Sequence, residues 1–398
     1  MLVESRKIYF YLCVLLIVDF LILLWVGKNL SISYDEASHF FEPLDFGGFL
    51  SNLSVFLFGQ NDIGLRMLFL LLHLCNAVLM FIFAKGFLKR PSDALFCVLL
   101  FLLLPGVNAA AILISNSGII IFLTLLLCIL YQQTHKIPYW LLLIMAFVDK
   151  SFALVFLALI FYGIAQKNTF LVFLSLIFFA LNMYLFDLEI GGHPAGYFID
   201  TSGHLLLIFS PLVFLYFLYA LYRFYNSKTK PLIWYISIVA LGFILFLSLR
   251  QKVETETFAP LLIVGIPLMV SLYFSGLRVR LPEFKSRYKI PFGITLLVLL
   301  AMVLVLLFSK PLFALFSSNQ EEYFAYRHYL AKELAQNLKE QNIFQVNTNE
   351  RMQKRLRFYG INQGGNVKIT THFVKNAKEI PIFYYGKKVA VFYVQKSL

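Results

Sequence analysis

At 398 residues, 60% hydrophobic and only 14% charged, the chain carries more apolar surface than a water-soluble domain of its size can cover. This excludes an ordinary soluble protein and predicts a polytopic α-helical membrane protein, for which 44 Phe and 22 Tyr suit a lipid-facing bundle with aromatic rings near the interfaces. The net charge of +13 is scattered through short loops between apolar segments, so it reads as a topology signal and excludes nucleic acid as a partner.

In chain order, the first apolar run starts after Arg6 and Lys7 and continues to about Val26. It is too long for a signal-peptide core and lacks a small-residue cleavage site, so it is expected to stay as an anchor. With about 20 apolar residues needed per span, about eleven transmembrane helices are predicted, near 8–27, 64–84, 91–108, 114–131, 137–149, 151–166, 169–186, 203–222, 231–249, 258–275 and 290–308. The fifth and sixth are short and read as half-spans or a tilted hairpin. Asp19 inside the first helix is an expensive acid, either functional or bonded to a neighbouring helix. His73 and Asn76 on the second read as contacts between helices. Cys13, Cys75, Cys97 and Cys128 all lie in apolar runs, with neither disulfide nor metal spacing.

With a cytoplasmic amino terminus, one side receives Arg6, Lys7, Lys85, Lys89, Arg90, Lys136, Lys167, Arg223, Lys228, Lys230, Arg278, Arg280, Lys285, Arg287 and Lys289. The other side receives Lys28, Arg66, Lys150, Arg250 and Lys252, together with acids from Asp35 and Glu36 to Glu189, Glu254 and Glu256. The positive-inside rule therefore selects one register, with an odd number of spans and a carboxyl-terminal tail outside the cytoplasm. His193 and Asp200 fall in a glycine-rich outer loop, 187–202, most simply a connector. After Phe308 the composition changes. Residues 1–316 are predicted as the membrane domain with an outer-face loop at 28–63, and 317–398 as a small soluble α/β domain. "EEYFAYRHYLAKELAQNLKEQ" and "NERMQKRLRFYG" have helical spacing, whereas "NIFQVNT", "VKITTHF" and "KKVAVFYVQ" read as strands.

The outer loop "SISYDEASHFFEPLDFGG" gathers Asp35, Glu36, His39, Glu42 and Asp45 just beyond the first helix. On a helix Asp35 and His39 share a face. There a carboxylate could take a proton from an attacking hydroxyl, or join His39 on a metal ion. An acidic loop that merely obeys the topology rules is the plainer alternative.

From this loop onward a series of collinear elements resembles the GT-C glycosyltransferases, in the branch (families 39 and 83) that holds protein O-mannosyltransferases and aminoarabinose transferases. The elements are Asp35-Glu36, then Glu42-Pro43-Leu44, then Phe58-Gly59 through Arg66 leading into the second membrane helix. "LLLIMAFVDKSFALVFLALI" is similar to a further family element, with Lys150 in the matching place. "TFAPLLIVGIPLMVSLYF" is similar to a late proline-bearing helix, with Pro260 and Pro267 more widely spaced than in the family. Asn116 stands where the family often has an Asp.

The resemblance implies transfer of a sugar from a polyprenyl-phosphate donor to a glycolipid, polysaccharide or protein acceptor at the outer face of a bacterial inner membrane. It implies Asp35 and Glu36 as the catalytic pair, Asp35 acting on the acceptor hydroxyl and Glu36 assisting. His39, Arg66, Lys150, Arg250 and Lys252 would bind substrate, the cations offsetting charge that develops on the leaving phosphate. The resemblance names no certain cofactor. A divalent metal is left open, because Asp35 and His39 are too few ligands to define one. Two other readings are a transporter or flippase for a lipid-linked intermediate, and an inactive GT-C-like membrane subunit. Transporters often carry two related halves, while this chain has one carboxylate-rich outer loop and an asymmetric layout; Asn116 leaves room for the inactive subunit.

Overall fold

The computed structural model describes residues 2–187, 196–316, 328–373 and 377–396. His193, Glu189 and the first part of the predicted tail helix lie outside the described residues. Helix α1 (Leu2–Asn29) is followed by α2 (Tyr34–Phe41), α3 (Phe46–Phe58) and α4 (Asp62–Phe87). Then come α5 (Pro91–Leu102), α6 (Pro105–Ile112), α7 (Ser117–Thr134), α8 (Tyr139–Val148), α9 (Phe152–Ala165) and α10 (Thr169–Phe186). The membrane part continues with α11 (Tyr197–Phe209), α12 (Pro211–Tyr225), α13 (Leu232–Ser248), α14 (Thr255–Ile263), α15 (Ile266–Val279), α16 (Pro282–Leu307) and α17 (Ser309–Phe316). The tail holds α18 (Ala331–Glu340), β1 (Gln345–Asn347), α19 (Glu350–Phe358), β2 (Asn362–Thr370), β3 (Lys378–Tyr384) and β4 (Lys387–Lys396).

Helix occupies each of the eleven predicted segments. Among the described residues six helices are long and apolar enough to cross a bilayer, or up to eight if each bent pair is one span. The chain is a multi-pass α-helical membrane protein. The bent pairs are α5–α6, at 64°, and α11–α12, at 100°. In each the second helix opens on a proline, Pro105 or Pro211, whose ring and missing N–H cannot continue the preceding turn.

By contacts the chain divides into two compact units. The first comprises residues 1–20, 71–111 and 115–303. In it α9 packs on α10 and α13, α14 on α7 and α13, and α15 on α5 and α12. The span from α14 through α15 is far more enclosed by protein than α16, whose apolar side chains face outward as lipid contact allows.

The second unit comprises residues 21–70, 112–114 and 304–398. Its sheet has the order β1-β2-β4-β3; β1 and β2 run parallel, as their α19 crossover requires, and the remaining pairs are antiparallel. Strand β3 is absent from the sequence reading because Pro381 interrupts its pattern. A proline is tolerated there since β3 is an edge strand. The tail helix also differs from expectation: it begins at Ala331, because Leu330 turns to φ +78° and gives its N–H to the Tyr384 hydroxyl at 3.0 Å.

The stretch 28–63, predicted as a loop, is mostly helical. Helix α3 buries Gly47, Gly48, Ser51 and Ser54 and exposes Phe49, Leu53, Phe56 and Leu57, the two-faced character of a helix lying along a membrane surface. Beneath α2 a core forms from Ile32, Ala37, Leu65, Phe69, Ile114 and Phe358.

Candidate active site

Ser33 caps α2 by the reciprocal device its Ser-x-x-Glu spacing encodes: its hydroxyl accepts from the Glu36 N–H at 3.2 Å, and the Glu36 carboxylate accepts from the Ser33 N–H at 2.8 Å. Glu36 is thereby turned inward, where both its oxygens lie 3.2 Å from Nη2 of Arg66 and Oε2 lies 3.5 Å from Nδ1 of His328. Burial alone would raise the Glu36 carboxyl, but the Arg66 guanidinium, His328 and the Ser33 N–H outweigh it and hold the group well below the usual carboxylate range. Asp35, one position earlier, lies exposed in the first turn. Helix α2 thus sets the two neighbouring carboxylates apart, Glu36 inward and Asp35 on the surface.

Arg66 has no exposed surface. Nε donates to the Ile112 carbonyl at 2.7 Å, and Nη1 to the carbonyls of Leu30 and Asp62 at 3.2 and 3.1 Å. With the two bonds to Glu36, these engage all five guanidinium N–H groups. The approach to Arg66 depends on two glycines. Gly59 ends α3 at φ +87°, and a Cβ on Gly64 would fall 2.0 Å from the Gly59 carbonyl oxygen.

The extended residues before α2 are held by the tail of the same unit. The Ser31 N–H donates to the His328 carbonyl, and the Ile32 N–H to the Tyr359 hydroxyl. The Ile32 carbonyl accepts from Nε of Arg355 at 2.8 Å, and Arg355 also reaches the Ser31 hydroxyl and the Tyr329 carbonyl. Tyr359 donates to Asp62 at 2.5 Å, while Lys332 pairs with the other Asp62 oxygen at 2.6 Å. Burial and the Asp62 charge push the Tyr359 phenol well above its usual range. The backbone ahead of Asp35 is therefore pinned by side chains.

His39 shares the α2 surface with Asp35, as the i, i+4 spacing predicts, but its Nδ1 pairs with Asp45 at 3.1 Å. Asp45 in turn caps α3 by accepting from the Gly48 N–H. The hydrogen bond to Asp45 raises the His39 imidazole. Burial works against the Asp45 carboxylate, but His39 and the Gly48 N–H lower it overall. Among the described residues no group of three or more His, Cys, Asp or Glu side chains is placed to hold a metal ion.

In the first unit the α8–α9 junction carries Asp149 and Lys150. Asp149 is buried, accepting from the Asn116 amide at 2.7 Å and from the Ser151 N–H at 2.8 Å. Lys150 pairs with Glu254 at 2.7 Å, and the hydrogen bond lowers the Glu254 carboxyl. Arg250 and Lys252 are exposed on the same α13–α14 connection that brings Glu254 to Lys150. The helix-one acid and the second-helix histidine also meet, His73 Nε2 lying 2.9 Å from Asp19.

Of the residues the sequence singles out, the structure joins Glu36 to Arg66 and places Asp35 and His39 on one exposed surface. It ties Lys150 to Glu254 on the α13–α14 connection, on which Arg250 and Lys252 are exposed. His328, Lys332, Arg355 and Tyr359 were not foreseen; they lie roughly 300 residues from their partners, and no local pattern links the two. The available signal was the Arg and Tyr content of the "QKRLRFYG" helix, more than a solvated helix end needs.

No family model matches the sequence, and no curated protein matches it. The fold does have relatives among solved structures. Crystal structures of ArnT from Cupriavidus metallidurans, in the apo state and bound to undecaprenyl phosphate, superpose on this chain with a TM-score of 0.52 each, at 14% and 15% sequence identity. Both comparisons cover 90% of this chain and 75% of the ArnT chain. At that identity the likeness is one of fold.

Proposed function

We propose that this chain, whose fold is that of the GT-C membrane glycosyltransferases, moves a sugar from a polyprenyl-phosphate donor to an acceptor hydroxyl at the outer face of a bacterial inner membrane. The ArnT structure with undecaprenyl phosphate bound supports the donor class. The observation that carries the reading is the division of labour on α2. Arg66 and Ser33 fix Glu36 inside, which leaves Asp35 on the surface of a helix whose start is held from several sides.

In this reading Asp35 is the catalytic base. It accepts the proton of the acceptor hydroxyl as that oxygen bonds to the anomeric carbon. The bond from that carbon to the phosphate oxygen breaks with its electron pair, and polyprenyl phosphate leaves. Glu36 and Arg66 act through position. Lys150, Arg250 and Lys252 are the cations assigned to the leaving phosphate, and His39 to the acceptor. Residues 317–398 form an extracytoplasmic domain, with the amino terminus in the cytoplasm. The acceptor is a glycolipid, a polysaccharide or a protein.

The test is an assay of purified protein with a panel of radiolabelled polyprenyl-phosphate sugars, wild type beside Asp35→Asn. Turnover of one donor, falling about 10²–10⁴-fold in the variant with unchanged membrane insertion, is expected. Equal turnover in the variant removes the role of Asp35. Saturable donor binding without turnover in the wild type favours a transporter or an inactive subunit.

A further inference from the structure

The first unit holds an apolar cavity of about 490 Å³, well inside the size range of small-molecule sites. Its walls come from α5, α12, α15 and α16, and include Phe96, Leu100, Met269 and Phe292, with the hydroxyl-bearing rings of Tyr216 and Tyr288. Helix direction locates it. The cavity is lined by the second half of α5, the first half of α12, the first half of α15 and the first half of α16, and it reaches Tyr288 close to the α15–α16 junction. Lys150 and its neighbours sit at the start of α7 and α14, whereas the cavity extends from the middle of the helices toward the junction where α15 ends and α16 begins.

The rim at that end is basic. Between residues 278 and 289 stand Arg278, Arg280, Lys285, Arg287 and Lys289 against one acid, Glu283. One of these cations lies against a ring of the cavity wall. The Arg280 guanidinium lies 3.9 Å above the ring of Tyr288, which stacks in turn on Tyr273 with centroids 5.3 Å apart. Gly276 makes room for that ring, since a Cβ there would come 2.9 Å from the Tyr288 hydroxyl. Arg278 is occupied, paired with the buried Asp93 at the start of α5. Arg280, Arg287 and Lys289 are exposed.

We infer that this cavity and its rim form a binding site for an anionic phospholipid of the adjoining leaflet, one acyl chain in the cavity and the phosphate on Arg280 and its basic neighbours. The apolar walls supply no partner for a polar ligand of this size beyond a few hydroxyls, whereas a hydrocarbon chain needs none. The charge at the mouth selects among lipids, because each Lys or Arg near a membrane surface attracts an anionic head group by about 1 kcal/mol, or about fivefold in affinity. The site owes nothing to the transfer reaction and would be present in an inactive protein.

The test uses the full chain in nanodiscs, with Tyr219→Trp as a reporter in the cavity wall and the unreplaced protein as background. Bromine on an acyl chain quenches a tryptophan it touches. Brominated phosphatidylglycerol is expected to quench the reporter at least about fivefold more effectively, by apparent affinity, than brominated phosphatidylcholine. Arg280→Gln with Arg287→Gln should bring that ratio close to one while quenching by phosphatidylcholine persists, which also shows that the variant is folded. Equal quenching by both lipids in the parent, or a ratio unmoved in the double variant, overturns the assignment. So does displacement of the brominated phosphatidylglycerol by equimolar undecaprenyl phosphate, which would make the cavity a donor-lipid site.

Discussion

Two neighbouring carboxylates on one turn of α2 meet opposite fates. Glu36 is buried against a guanidinium with no N–H to spare, so removing either partner would strand a charge in the interior, a loss of about 3–5 kcal/mol. The pairing also explains why Arg66, although expected among the donor-binding cations, is spent on backbone carbonyls and one carboxylate. His39 and Asp45 sit nearer water, their side chains 45% and 28% exposed, so their pair is worth no more than roughly 0.2–1 kcal/mol. Its sign can be worked out. The imidazole is raised, so its contribution is complete below about pH 6.5 and is lost as pH climbs through the higher folded value. The carboxylate is lowered, so its contribution is complete above about pH 4 and is lost as pH falls through the depressed value. Asp45→Asn should therefore lower the melting temperature by about 1–2 °C at pH 5.5 and leave it nearly unchanged at pH 9. Thermal unfolding in detergent at the two pH values measures this, and an equal loss at both would refute the pairing.

At the scale of elements, the turn from α3 to α4 governs where Arg66 goes. A methyl on Gly64 would meet the Gly59 carbonyl, which belongs to backbone and cannot swing aside. Gly64→Ala should thus destabilise the protein by about 1–3 kcal/mol and reduce activity, whereas Gly203→Ala, which meets nothing within 4 Å, should be close to neutral. Melting curves of the two variants decide it. This turn also marks how far the sequence could be read. Long apolar runs announce membrane helices because lipid demands internal backbone bonding over a fixed thickness, and each of the eleven predicted segments contains helix. The capping of α2 was likewise written locally, in Ser33 and Glu36. Helix α3 was not legible, being too short to span and having an inward side of Gly and Ser with Asn52 as its one amide. Nor was β3, where proline breaks the pattern. The inward turn of Glu36 depends on Arg66, Leu30 and Ile112 meeting in space, and no spacing along the chain encodes that.

For the whole molecule, the charge asymmetry of the loops makes a prediction that neither packing nor fold likeness supplies. If the basic loops face the cytoplasm, Lys228→Cys in the α12–α13 connection should react with a membrane-impermeant maleimide only after cell lysis. Tyr385→Cys in the tail, 68% exposed at the β3–β4 turn, should react in intact spheroplasts. Both are tested in a background lacking the four native cysteines. The reverse pattern would invert the protein in its membrane and remove Asp35 from the outer face.

The bond from Arg355 to the Ile32 carbonyl spans 323 residues, and it sets a timetable for biogenesis. At about 5–20 residues per second of synthesis, Ile32 waits roughly 15–65 s for its partner to be made. During that interval the strand-like segment before α2 has unmet backbone groups, and Asp62 lacks both Tyr359 and Lys332. Synthesis must therefore pass Tyr359 before the first loop can set. A message truncated anywhere before the tail would leave that loop open for surveillance proteases, so even late nonsense mutations should yield a protein that is cleared as well as inactive.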